Sequence, residues 1–193
     1  MLNMSRANPL EVAIETLGAV LTDRGLNYEL VGVGGGSLML LGLLERPTKD
    51  IDIVALVRGG EYQPAEPLPE PLKGAVKDVA STLGLSDDWL NAGPTALLQF
   101  GLPEGFQSRV EVRNYGGLRL HVAGRLDQIH LKLYAAVDQG PHSKHFADLR
   151  QLNPVSDELI LSAQWALTHD PSPAFKKDLV AALEALGVHD ANL

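Results

Sequence analysis

Asp50 and Asp52 stand two residues apart at the head of an apolar run, Asp50-Ile51-Asp52-Ile53-Val54-Ala55-Leu56-Val57. On a strand, that spacing projects both carboxylates from one face and sends Ile51 and Ile53 into a core on the other. Neighbouring carboxylates repel each other unless a cation lies between them. Hard oxygen ligands suit Mg²⁺, and two such ions would activate an attacking hydroxyl and stabilise a leaving pyrophosphate. Just upstream lies Gly34-Gly35-Gly36-Ser37. Glycines let backbone N–H groups approach an anion closely, a helix N-terminus adds a positive dipole, and Ser37 adds a hydroxyl donor.

The elements that must position these groups follow from pattern. Asn8, Pro9 and Glu11 mark the start of a helix over 9–24, with a capping box available. Tyr28–Val33 reads as a buried strand, closed by the glycine turn, and 37–44 as a helix buried on most sides. Residues 50–57 form the second strand. Residues 58–70 read as a Pro/Gly-rich loop, 71–83 as a helix, and Ser86 as the cap of a further short helix. Strands are predicted at 109–113 and 118–122 around the turn 114–117. Helices follow at 126–138, 142–152, 157–168 and 173–186. The expected fold is α/β (α+β), with a small mixed sheet flanked by helices. It divides into an α/β core over 1–123 and a helical part over 124–193 packed on that core.

Gly36-Ser37, twelve intervening residues, then Asp50-Ile51-Asp52 resembles the Gly-Ser…Asp-x-Asp signature of the DNA-polymerase-beta-like nucleotidyltransferase superfamily. Arg46, Thr48, Asp50 and Asp52 resemble the Arg-x-Thr-x-Asp-x-Asp form of its minimal and AbiEii-type bacterial toxin branch. Asp88-Trp89-Leu90-Asn91 is similar to a stretch common in that branch. Lys132-Leu133-Tyr134-Ala135 is similar to its Lys-Leu-x-Ala helix. Lys144-His145-Phe146-Ala147-Asp148-Leu149 is similar to its Lys-Asp-x-x-Asp-Leu motif, with His145 in place of the first Asp. The matches are scattered over 31–152.

The resemblance implies a Mg²⁺-dependent enzyme, with two ions, that moves a nucleoside monophosphate from an NTP to an acceptor hydroxyl. Asp50 and Asp52 would bind the metal, with a third carboxylate from a nearby strand; Glu111, between Val110 and Val112, is the candidate. Gly35, Gly36, Ser37, Arg46, Thr48 and Lys132 would hold the nucleotide, Lys132 as a point charge on the triphosphate. The acceptor would be RNA, a protein or a small molecule, and an antitoxin protein is an implied partner.

Each feature has a plainer alternative. Asp-x-Asp at a strand start can be edge solvation, Glu111 a surface ion-pair partner of Arg109 or Arg113, and Lys132 a solvated helix lysine. His142, His145 and Asp148 would align on one helical face, as metal ligands might, without an evident fourth. Gly32-x-Gly34-x-x-Ser37 nearly spells a dinucleotide fingerprint, the basis of a Rossmann oxidoreductase alternative. Ser in the third position oppose that, as do acids that open their strand rather than end it. A further alternative is a degenerate member that binds nucleotide or a partner without catalysis.

Composition narrows the field. The 193 residues include no Cys, which excludes disulfides, thiolate catalysis and Cys-ligated metals. The net charge of −8 disfavours a broad grip on nucleic acid. It is uneven: residues 109–150 hold seven basic against four acidic residues, a local +3 that leaves −11 elsewhere. The opening Met1–Arg6 lacks the pattern of a signal peptide, and no apolar run is long enough to span a membrane, so a cytoplasmic protein without membrane contact is expected.

Overall fold

The computed structural model describes residues 8–189, 191 and 193; the leader reading of Met1–Arg6 lies outside them. Helix α1 (Pro9–Asp23) starts where the sequence places it, with the Asn8 side chain accepting from the Leu10 N–H at 3.0 Å. Strand β1 (Tyr28–Val33) runs directly into helix α2 (Gly34–Leu40), so the three glycines are the first turn of the helix rather than a separate loop. Strand β2 (Ile51–Arg58) turns through Gly59-Gly60 into strand β3 (Glu61–Pro64), a hairpin arm inside the stretch expected to be loop. Helix α3 spans Glu70–Leu83 and ends on Gly84 in the left-handed region.

After α3 the expected short helix does not form. Ser86 bonds the Asp88 side chain in a turn, and the two-residue strand β4 (Leu90–Asn91) follows. Short helices α4 (Ala96–Phe100) and α5 (Phe106–Arg109) lead to strands β5 (Glu111–Tyr115) and β6 (Leu118–Val122). Helices α6 (Arg125–Gln139), α7 (Lys144–Leu152), α8 (Ser156–His169) and α9 (Pro173–Ala185) complete the chain.

The fold is the mixed α/β arrangement expected from sequence. The sheet order is β3-β2-β1-β6-β5, with β4 added to the same edge of β2 as β3. β1 is antiparallel to β2 and parallel to β6. A dinucleotide-binding unit needs two parallel strands joined by a crossover helix. Here the glycine-bearing helix joins antiparallel neighbours, so the near-fingerprint at Gly32–Ser37 lacks the architecture that would make it one.

One face of the sheet is buried under α1 and α3, where Ile14, Leu17, Ile51, Ile53, Val76 and Trp89 share a core. Ile51 and Ile53 are fully buried, as the alternation requires. The other face packs Val31, Val33 and Ala55 against Phe106 and Leu131 of α6. Helices α6 to α9 have a core of their own, which Leu38 of α2 enters. Side chains therefore cross the 123/124 division in both directions: Leu131 joins the sheet and Leu38 joins the helices.

The tightest approach between helix and sheet is at Gly18. A methyl group there would sit 1.7 Å from the Tyr115 carbonyl oxygen, and the Gly18 carbonyl accepts the Gly117 N–H at 3.1 Å. Backbone against backbone leaves nothing flexible to yield. Gly18→Ala is expected to cost about 3 kcal/mol, measured by urea unfolding.

Candidate functional site

Asp50 immediately precedes β2 and Asp52 is its second residue; both are half-buried on the face opposite Ile51 and Ile53. Thr48 donates its hydroxyl to Asp50 Oδ1 at 3.1 Å. Asn91, registered beside Asp52 on β4, donates Nδ2 to Asp52 Oδ1 at 3.2 Å. No described lysine, arginine or histidine lies within ion-pair distance of either carboxylate. Burial raises the Asp52 pKa above its ordinary value, and the neighbouring Asp50 charge adds to that. The Asn91 hydrogen bond, Lys132 and Lys144 oppose it.

The glycines are placed by this pair of acids. A Cβ on Gly34, whose φ is +78°, would lie 2.5 Å from Asp52 Oδ2, and one on Gly36 would lie 2.3 Å from the Asp50 carbonyl oxygen. A Cβ on Gly35 would come within 3.2 Å of Arg46 Nη2 and 3.4 Å of Thr48 Oγ1. Gly35 and Gly36 are buried, and the Gly34 N–H is already donated to Gln128 Oε1 at 3.0 Å. The triplet thus lets α2 lie against the acid-bearing strand; its contribution to an anion cradle is secondary in this conformation.

Several expected ligand groups are placed differently. Ser37 is fully buried, its hydroxyl faces Gly32 of β1, and it has no hydrogen-bond partner. Because α2 begins at Gly34, Ser37 falls on the inward side of the helix and presents no donor to a bound phosphate. Lys132 is not a free point charge either. It is 4% exposed, and its Nζ lies 2.7 Å from Asp148 Oδ2.

Asp148, fully buried, also receives Arg46 in a two-pronged contact, Nε at 2.6 Å and Nη2 at 2.8 Å. Burial would raise the Asp148 pKa, but the hydrogen bonds from Arg46 and Lys132 outweigh it and hold the carboxyl below the usual range. Burial lowers the Lys132 pKa, against the opposing pull of Asp148. His145, with Nδ1 buried and unpartnered, is pushed down to about 4 by burial and by Lys132 and Lys144, so it is neutral at pH 7.

Glu111 is not the third acid. It is exposed, bonds Arg113 Nε at 2.7 Å, and sits on β5, three strands across the sheet from β2. The sheet-edge neighbour of Asp52 is an amide, Asn91. His142 precedes α7 on the surface, and Asp148 is committed to two cations, so the His142-His145-Asp148 face is no metal site. Among the described residues no three His, Asp or Glu side chains cluster as a metal-binding group.

The donor set nevertheless fits one divalent cation. Asp50 and Asp52 are hard oxygen donors on one face, neither is ion-paired, and a cation between them would relieve their repulsion. Two residues escaped the sequence reading: Asn91, whose only signal was its place in Asp-Trp-Leu-Asn, and Gln128, which had none.

Two outcomes follow from these charges. Asp148→Asn would leave Arg46 and Lys132 sharing a buried neutral amide and is expected to cost about 3 kcal/mol at pH 7, read by urea unfolding. Because the folded Asp148 pKa is depressed, this stabilisation is complete above the unfolded carboxylate pKa. It is lost as pH falls through the lower folded value, so wild type and variant should converge in acid. Asp52 behaves oppositely. Its folded pKa is raised, so its charge destabilises the unliganded protein above that value. Asp52→Asn should therefore melt higher than wild type at pH 7 without metal, the gap closing as pH falls through the folded Asp52 pKa. Thermal scans across pH check this. No protein-family model, characterised protein sequence or solved structure matches this chain.

Proposed function

We propose that the protein is a Mg²⁺-dependent nucleotidyltransferase acting in the cytoplasm on an NTP. The observation that carries this reading is the isolation of Asp50 and Asp52. Two carboxylates are held side by side without a cationic partner, while the neighbouring Arg46 and Lys132 are both engaged by Asp148. A protein that needed only to neutralise Asp50 and Asp52 has two cations within a short reach and spends both elsewhere. The pair is kept for a cation from solution.

A divalent ion held by Asp50 and Asp52 would supply Lewis acidity at the α-phosphate and neutralise charge on the leaving pyrophosphate. The chain's own residues do the rest. Thr48 and Asn91 fix the two carboxylates, and Gly34 leaves room for Asp52 Oδ2. Lys144, on the first turn of α7, is exposed and feeds positive potential to the site. In the reaction an acceptor hydroxyl oxygen bonds to the α-phosphorus, the bond from that phosphorus to the bridging oxygen breaks, pyrophosphate departs, and the acceptor proton passes to solvent. The acceptor is RNA, a protein or a small molecule. A toxin role paired with an antitoxin protein rests on the resemblance of Arg46, Thr48, Asp50 and Asp52 to the toxin branch.

A second reading, a nucleotide-binding member without catalysis, is favoured by the absence of a third acid among the described residues and by the burial of Ser37. The two separate in one experiment, in which the protein is incubated with each labelled NTP, Mg²⁺ and a cell extract. Label transfer that drops at least 100-fold in Asp50→Asn is expected of the enzyme. Nucleotide binding with no transfer to any component would instead establish the non-catalytic reading.

A further inference from the structure

Resting on the nucleotidyltransferase reading, we propose that Asn91 is a positioning residue standing where a third acid would complete a two-cation site. It thereby limits the pair Asp50 and Asp52 to a single divalent cation. Strand β4 is the element hydrogen-bonded to β2 at the level of the acids, with Leu90 beside Ile51 and Asn91 beside Asp52. Residues level with each other on paired strands present their side chains to the same face. Asn91 therefore stands on the metal-facing side, next to Asp52. On the opposite flank the neighbour of Asp52 is Val33, which is apolar.

The Asn91 amide turns its oxygen away from the acids. Its Oδ1 accepts the Gly93 N–H at 2.9 Å, which fixes the orientation of the group. Nδ2 therefore faces the acid, donating to Asp52 Oδ1 at 3.2 Å and to the Asp88 carbonyl at 3.5 Å. The end of the amide turned to the site thus carries N–H groups, which repel a cation. The acids nearest in sequence, Asp87 and Asp88, are exposed, and Asp88 is bonded to Ser86.

Asn91 is held in place from behind. Trp89 is fully buried, donates Nε1 to the Val76 carbonyl at 3.0 Å, and accepts the Ile51 N–H on its own carbonyl at 2.7 Å. Two-cation phosphoryl-transfer sites hold their ions roughly 4 Å apart, which requires carboxylates on both sides of the pair. Here one side offers an amide. What Asn91 does supply is orientation, since a hydrogen bond to Oδ1 fixes how Asp52 presents its remaining lone pairs.

The test uses Mn²⁺ as the probe on the full chain, followed by electron paramagnetic resonance. Titrations are run with Mn²⁺ alone and with each of the four non-hydrolysable α,β-methylene NTP analogues. Wild type is expected to bind one Mn²⁺ with the signal of an isolated ion in every case. Asn91→Asp should add a second ion and give the exchange-coupled signal of a close pair. Asn91→Ala, checked for folding by circular dichroism, should still bind one ion, about 10-fold or more weakly. A coupled pair in wild type overturns the proposal and leaves the nucleotidyltransferase reading standing. So does Asn91→Ala binding Mn²⁺ as tightly as wild type. No Mn²⁺ binding in wild type, or binding indifferent to Asp50→Asn, overturns both.

Discussion

A carboxylate sealed from solvent holds two cations from different parts of the chain, and the rest of the structure is arranged around that contact. Asp148 lies on α7, Lys132 on α6, and Arg46 in the loop that delivers the chain to β2. A lone buried charge would be very costly. The two-pronged arginine engages both oxygens of the carboxylate and the lysine adds a second contact to Oδ2. The result is a three-point tie between the sheet and the C-terminal helices, made at the edge of the acid pair. It also fixes the loop carrying Arg46 and Thr48, and hence the orientation of Asp50.

With that tie in place, the site is asymmetric. On one side, Asp50 and Asp52 press against a helix made thin enough by three glycines to approach the strand. On the other, cations are present but mostly committed, with Lys144 the exposed exception. A neutral His145 is enclosed among them. An anion brought to this site would meet one exposed lysine, Lys144, and not a cluster of free cations. The −8 of the whole chain is not reversed at this site; it is locally relieved.

How much of this was legible in the sequence varied with the range of the interaction. The Asp50/Asp52 alternation is a property of neighbours, and the buried Ile51 and Ile53 bear it out. Helix starts at Asn8 and Ser172 are likewise local, each set by a side chain accepting a nearby N–H; the cap at Ser143 lies one residue inside the helix expected from 142. Ser37 was misread because the helix starts three residues earlier than the apolar run suggests, which turns its hydroxyl inward. Glu111 was misread because alternation assigns a face but says nothing of strand order, and β6 and β1 lie between it and β2. Asn91 left no periodic trace, since a two-residue strand has no period. The salt-bridged state of Lys132 needed a contact between two helices that sequence spacing does not specify.

The indole of Trp89 reaches further than its place in the core suggests. It joins helix α3 to the strand edge that holds Asn91, and through Asn91 to one oxygen of Asp52. Repacking under α3 therefore changes the angle at which that oxygen is offered. A substitution in the hydrophobic layer thus acts twice, once on the stability of the core and once on the orientation of the Asp52 carboxylate.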